Sequence, residues 1–278
     1  MHMKRRLFLA SALGVSAAVP AYAKFVEPEW LRFHQVDCNF FHERQSDPIR
    51  LLHLSDLHAS PQVPKRLIEH AIDIGLSAKP DLICVTGDFI TTGEPFDGVW
   101  LEQQLRRLSS AAPAFGSLGN HDGGPWAIRW SGLPTTDLVG GIVKAGGLKL
   151  LRNSHTELLL KGRSLNLVGL GDWWADELDA AKAFPEPSSI QTLLLSHNPD
   201  TKELLTQYQW SLMLSGHTHG GQFALPLLGT PFAPVVDRRY VEGLKPWQER
   251  QIHVTTGVGN LYGVRFNCRP EVSLLLLH

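Results

Sequence analysis

Residues 49–58 read IRLLHLSDLH, residues 82–88 read LICVTGD and residues 114–122 read AFGSLGNHD. Each stretch begins as a short apolar run and ends in a polar cluster holding Asp or His. Runs of this kind, without polar alternation, predict strands buried on both faces. Between the first two, residues 63–77 carry Leu67, Ala71, Ile72 and Ile74 near helical spacing, and residues 97–110 also predict a helix. The strand ends recur about every 30 residues, the period of a β-α-β unit in a largely parallel sheet. Residues 148–170 predict a hairpin turning at Lys161-Gly162-Arg163, and residues 176–184 a helix. Strand signals return at 192–196 and 211–214, then close the chain at 253–256 and 272–277. This is an α/β pattern with no internal linker, so residues 47–278 are expected to be one domain and residues 24–46 a lead-in.

The 278 residues are 43% apolar and 19% charged, a globular composition. A formal charge of −1 without a basic stripe speaks against a strongly basic nucleic-acid surface, and so against a nuclease. Three Cys with no CxxC pair exclude a disulfide scaffold, and Cys84 reads as a small buried hydrophobe. Residues 1–23 have the layout of a signal peptide: Lys4-Arg5-Arg6, an apolar run to Val19, then Ala21-Tyr22-Ala23 as a small-x-small cleavage site. The Arg pair before Leu7-Phe8-Leu9 resembles a twin-arginine signal, which implies export of a folded chain across a bacterial inner membrane. A general secretory signal and an uncleaved anchor are the alternatives. Removing residues 1–23 leaves a formal charge of −4.

Five clusters sit where strands end: Asp56-Leu57-His58, Gly87-Asp88, Gly119-Asn120-His121-Asp122, His197 and Gly216-His217-Thr218-His219. In parallel α/β sheets, sites gather at the carboxyl ends of strands. Carboxylate, amide and imidazole without thiolate suit Mn, Fe or Zn better than Ca or an iron–sulfur cluster. The candidates exceed what one ion needs. Two ions about 3.5–4 Å apart would clamp a phosphoryl group, and a water between them would lose a proton near neutral pH and attack.

The order DxH, GD, GNHD, H, GHTH resembles the calcineurin-like metallophosphoesterase superfamily, from Asp56 to His219. The run GHTHGGQ at 216–222 is similar to an exported or membrane-associated bacterial phosphodiesterase subgroup, the YaeI/YkuE-like proteins. The resemblance implies a four-layer α-β-β-α sandwich of mixed sheets flanked by helices. It implies that Asp56, His58 and His219 hold one metal, that Asp88 bridges, and that Asn120, His197 and His217 hold the second. His121 would stand beside the phosphoryl group, stabilising charge or protonating the leaving oxygen, with Asp122 orienting it. Gly87 and Gly119 would let the backbone turn beside the metals. The implied function is phosphodiester or pyrophosphate hydrolysis with two divalent ions, Mn first and Fe or Zn next, on a lipid-linked or UDP-diacylglucosamine-like substrate. An exported phosphomonoesterase and a non-catalytic scaffold are the alternative readings.

Around these motifs, Trp173-Trp174 could form a substrate wall. Residues 223–236 (FALPLLGTPFAPVV) lack charge and are expected to pack as core or to touch a membrane. Arg265 or Arg269 could hold a phosphate, and Arg238-Arg239 an anionic headgroup. His53 falls on the opposite strand face from Asp56. His34, His42, His70, His155 and His253 read as surface or satisfied core residues.

Overall fold

A computed structural model of the protein describes residues 18–44 and 46–278; the basic and apolar start of the expected signal, residues 1–17, lies outside the described residues. Two six-stranded mixed sheets face each other. The first has the order β1 (Arg32–Cys38), β12 (Glu271–Leu277), β2 (Ile49–Leu54), β3 (Leu82–Thr86), β4 (Ala114–Ser117), β5 (Lys149–Leu150). In it β2, β3, β4 and β5 are parallel, and β12 runs antiparallel to β2 but parallel to β1. The second has the order β10 (Gly243–Trp247), β11 (Arg250–Val254), β9 (Leu212–Ser215), β8 (Thr192–Leu195), β7 (Arg163–Gly169), β6 (Ser154–Leu160). Its centre is parallel and both its edge strands, β10 and β6, pair antiparallel.

Three apolar layers hold the sandwich together. Leu51, Cys84, Phe115, Leu167, Leu195, Leu214 and Leu275 fill the space between the sheets. Helices α1 (Lys65–Ser77), α2 (Gly98–Ser109) and α4 (Asp137–Ala145) cover the outer face of the first sheet through Leu67, Ile72, Leu101, Leu105 and Val143. On the outer face of the second, Val168, Leu194, Met213 and Ile252 pack under Leu205, Trp210 and Trp247. Both faces of the central strands are therefore covered, which is why those strands read as nearly continuous apolar runs. Residues 18–25 are also helical, and α3 (Pro125–Ile128) and α5 (Ala180–Ala183) are short helices.

The predicted helix at 176–184 shrinks to the four residues of α5, because Asp176 has a left-handed backbone and Asp179 caps the turn, accepting from the Lys182 N–H. The lead-in segment supplies an edge strand, β1, paired with β12 along its whole length. Residues 223–236 divide: Ala233 and Val235 pack with Val241, while Leu227, Leu228, Phe232 and Val236 are exposed. All three Cys are buried and free. Among the described residues no helix is long and apolar enough to cross a membrane.

Candidate metal centre

The carboxyl ends of β2, β3 and β4 and those of β8 and β9 open on the same edge of the sandwich, and every predicted cluster follows one of these ends directly. The turns are sharp. Asp56, His58, Asp88, His217 and His219 all have left-handed backbones, with φ between 47° and 67°. Non-glycine residues enter that region rarely, and the strain collects at functional sites. Gly87 supplies the same freedom, at φ 80°. Gly119 differs from expectation: its backbone is extended, and a side chain there would run into the Asp88 carboxylate and the His197 ring. Space, not φ, demands that glycine.

Asp56, His58, Asp88 and His219 bring their ligand atoms within 4.8 Å of one another, and so do Asp88, His197 and His217. Asp88 belongs to both groups. His58 Nε2 lies 3.7 Å from Asp88 Oδ2 and 3.1 Å from His219 Nε2, and His197 Nε2 lies 3.0 Å from Asp88 Oδ2. The second ring nitrogens are tethered: His58 Nδ1 to the Thr91 hydroxyl at 3.1 Å and His197 Nδ1 to the Thr86 carbonyl at 2.6 Å. That arrangement aims each Nε2 inward, as an oriented metal ligand requires. Asn120 Oδ1 and His217 Nε2 are buried without a hydrogen-bond partner. Buried polar atoms are rarely left unpaired. Orphaned acceptors beside this donor set fit two divalent cations.

The electrostatics fit too. Burial pushes the Asp56 carboxyl up to about 7, with Asp88 adding to the effect. Burial works to raise Asp88 as well, but His197, His121 and His58 outweigh it and hold that carboxyl well below its ordinary value. Asp88 in turn holds His197 well above the usual imidazole value, against burial. Burial takes His58 and His219 well below it, and His217 down to about 3. The neutral imidazoles of His58, His217 and His219 are in the state a metal site needs, and His197 would give up its proton to a cation bound beside Asp88.

His121 and Asn120 line a cavity of about 340 Å³ above the two clusters, together with Asp88, His217 and His219. The Thr92 N–H donates to His121 Nδ1 at 3.1 Å. Nδ1 must then offer its lone pair, which leaves the ring proton on Nε2. Burial holds His121 below the ordinary imidazole value, in keeping with a neutral ring. Asp122 does not orient that ring. Its carboxylate accepts from the N–H groups of Phe89 at 2.8 Å, Ile90 at 3.2 Å and Gly119 at 2.9 Å, so it braces the loops after β3 and β4. Adjacency to His121 in sequence suggested a partnership that the backbone does not permit.

Neither Arg in the 262–271 stretch is open to a phosphate. Arg265 is fully buried and donates to the carbonyls of Thr256, Gly257, Gly259, Cys268 and His219. Arg269 donates to the Trp30 and Leu31 carbonyls and stacks on Trp30. Arg239 pairs with Asp237, and Arg238 donates to Thr230 and Pro231 carbonyls. His53 and His253 are buried partners 3.0 Å apart, and His53 Nε2 meets the Thr86 hydroxyl at 2.8 Å rather than a ligand cluster. Trp174 lines the cavity, whereas Trp173 is not part of its wall. Trp126 and Trp130 also line it and had no motif to announce them.

Comparison with known proteins places these residues in context. The family profile for calcineurin-like phosphoesterases matches residues 49–221, which span every cluster above. The chain is 40% identical over 278 residues to phosphodiesterase YaeI of Escherichia coli (strain K12), covering 100% of both. It is 29% identical to the uncharacterized metallophosphoesterase YkuE of Bacillus subtilis (strain 168), over 99% of this chain and 98% of that one. Similarity to the UDP-2,3-diacylglucosamine pyrophosphatase LpxG of Chlamydia muridarum is 26%, over 97% of this chain and 98% of that one. With the profile matched through the strand-end clusters and end-to-end identity at this level, the chain is a phosphoric ester hydrolase of the calcineurin-like phosphoesterase family.

Proposed function

We propose that the protein is an exported phosphodiesterase or pyrophosphatase that works with two divalent cations, Mn first among them, on a lipid-linked substrate such as a UDP-diacylglucosamine-like ester. The observation that carries this reading is the pair of ligand groups sharing Asp88 beneath one cavity. Asp56, His58, Asp88 and His219 would hold one ion; Asp88, Asn120, His197 and His217 the other. Bound there, the ions would supply Lewis acidity toward a phosphoryl oxygen and lower the pKa of a water.

The chain's own groups support a diester reading. With its proton on Nε2, His121 donates a hydrogen bond to an oxygen that gains charge, rather than delivering a proton. No Lys or Arg lines the cavity among the described residues, and Glu94 does. A phosphomonoester dianion would bring a second charge with no side-chain cation to meet it. A diester, or each phosphorus of a disubstituted pyrophosphate, carries one charge and suits this lining better.

Lipid linkage is supported by the exposed Leu227, Leu228 and Phe232, in a loop that starts just after His219, and by the likeness to LpxG, a UDP-2,3-diacylglucosamine pyrophosphatase. Export is supported by the sequence of residues 1–23. The test is turnover by the purified, Mn-loaded chain of bis(4-nitrophenyl) phosphate, 4-nitrophenyl phosphate and a UDP-linked diacyl sugar in detergent. The expected order places both diester-type substrates at least about tenfold above the monoester in kcat/KM. No turnover with Mn, Fe or Zn would sink the proposal.

A further inference from the structure

We propose that the cavity contains a ring-binding subsite, in which Trp126 and Trp174 stack an uncharged ring carried on an ester oxygen of the substrate. The inference rests on the phosphodiesterase reading above and names the substrate class it serves.

The two indoles form one wall. Their ring centroids are 5.9 Å apart with planes 33° from parallel. Trp126 lies 4.7 Å from the His121 ring, and Trp174 lies 4.4 Å from the His217 ring and perpendicular to it. The wall therefore runs from His121 to His217, spanning the cavity floor where Asp88 sits. Trp130 extends it at 6.2 Å from Trp126. A ring joined to phosphorus through a single oxygen would meet this wall when its phosphoryl group lies over the ligand clusters.

Packing does not account for these rings. The four apolar clusters of the described residues include Trp210 and Trp247, and Trp100 packs against one of them; Trp126, Trp130 and Trp174 belong to none. Trp130 is 61% exposed. Large apolar rings left open on a cavity wall mark a binding surface. They are also held in place before any ligand arrives. Trp126 sits in the first turn of α3, where the Gly124 N–H donates to the Leu133 carbonyl at 3.1 Å. Trp174 lies between Asp172 and Ala175, whose N–H donates to the Asp172 carboxylate at 2.9 Å. Stacking on a preorganised wall gains affinity without an ordering penalty. Because the lining holds no Lys or Arg among the described residues, the ring it prefers carries no negative charge.

The experiment compares diphenyl phosphate with dimethyl phosphate, which share one negative charge and differ in their rings. Both serve as competitive inhibitors of bis(4-nitrophenyl) phosphate hydrolysis by the Mn-loaded chain. Saturation-transfer NMR on the chain without added metal follows the phenyl protons directly. Diphenyl phosphate is expected to inhibit at least about tenfold more tightly, the scale of one aromatic stack. Trp126→Ala and Trp174→Ala should each erase most of that ratio and the NMR signal, and Trp126→Phe should keep both. Uridine and methyl glucopyranoside, added separately to the NMR sample, tell a base from a sugar as the ring. Equal inhibition constants in the native chain, or a ratio that survives both Ala substitutions, would overturn the subsite. Absence of any hydrolysis overturns the phosphodiesterase reading instead, and the NMR result then stands alone for or against the wall.

Discussion

Asp88 is the residue at which most lines of force meet. Its Oδ1 accepts from the His121 N–H at 2.9 Å while Oδ2 faces His58 and His197. On the two-ion proposal, Asp88→Asn should reduce bound divalent metal from two equivalents to one or none, read by elemental analysis, with kcat/KM falling at least about a thousandfold. His121 makes a different prediction. As a neutral donor on Nε2, it should be partly replaced by Asn, which also donates, and not by Ala. His121→Ala should lower kcat by about 100- to 1000-fold, the scale of one lost transition-state donor, and His121→Asn by less. Equal losses in the two variants would contradict the donor role. Arg265 tests a structural role. Its guanidinium bonds five carbonyls, and two of the residues that offer them, Gly257 and Gly259, lie so close to Asp56 that a side chain on either would run into it. Arg265→Met should cost about 3 kcal/mol in urea unfolding, because the carbonyls lose a charged donor in a buried place. The ligand candidates were legible at this scale because each motif pairs a strand end with a metal-type side chain. The roles of Asp122 and Arg265 were not, since a carboxylate or guanidinium that serves only backbone groups leaves no pattern in the sequence. Nor were Trp126 and Trp130, whose neighbours carry no chemical signature.

Elements were legible where burial made them uniform. Strands β2, β3, β4, β8 and β9 are mostly apolar because a sheet or helix covers each face. β1 escaped notice: Arg32–Cys38 alternates between more and less covered residues and reads as RFHQVDC, an edge strand wet on one side. Its pairing with β12, over 200 residues away, is nonlocal and has no short-range signal. The loop after His219 yields a prediction at the same scale. Leu227 makes no contact that shields it, and Leu228 and Phe232 are mostly exposed, so these apolar side chains do little for folding. Replacing all three with Ser should change unfolding free energy by less than about 1 kcal/mol. If the loop rests on a bilayer, as the lipid-linked reading holds, the same variant should lose sedimentation with phospholipid vesicles. Unchanged vesicle binding would take the loop out of that reading.

Across the whole molecule, the two ends of the described chain are tied together beside the metal centre. Glu27 is buried, and its carboxylate accepts from the N–H groups of Asn267 at 2.9 Å and of Cys268. The Arg32 N–H donates to the Pro270 carbonyl at 2.8 Å, and from there β1 follows β12 to the end. Residues 265–268 in turn hold the His219 carbonyl through Arg265 and the Cys268 thiol. The N-terminal segment thus reaches a ligand loop through two short steps, which a lead-in peptide need not do. Ahead of it, the Ala23 carbonyl accepts from the Arg265 N–H at 2.9 Å, while residues 18–21 are exposed. Removal of residues 1–23, as the proposed signal cleavage requires, takes away two backbone acceptors among the described residues, the Ala23 carbonyl and the Tyr22 carbonyl that meets the Val26 N–H at 3.0 Å, and Val26 is exposed to water. Glu27→Ala instead strips the N–H groups of Asn267 and the buried Cys268 of a carboxylate partner. A chain starting at Lys24 should therefore melt within about 4 °C of the full chain, and Glu27→Ala should lower the midpoint further and weaken metal retention along with it. Calorimetry with metal analysis on the three proteins decides the order. If the shortened chain melts lower than Glu27→Ala, the anchor lies before residue 24, and cleavage at Ala23 would dismantle part of the fold it is meant to release.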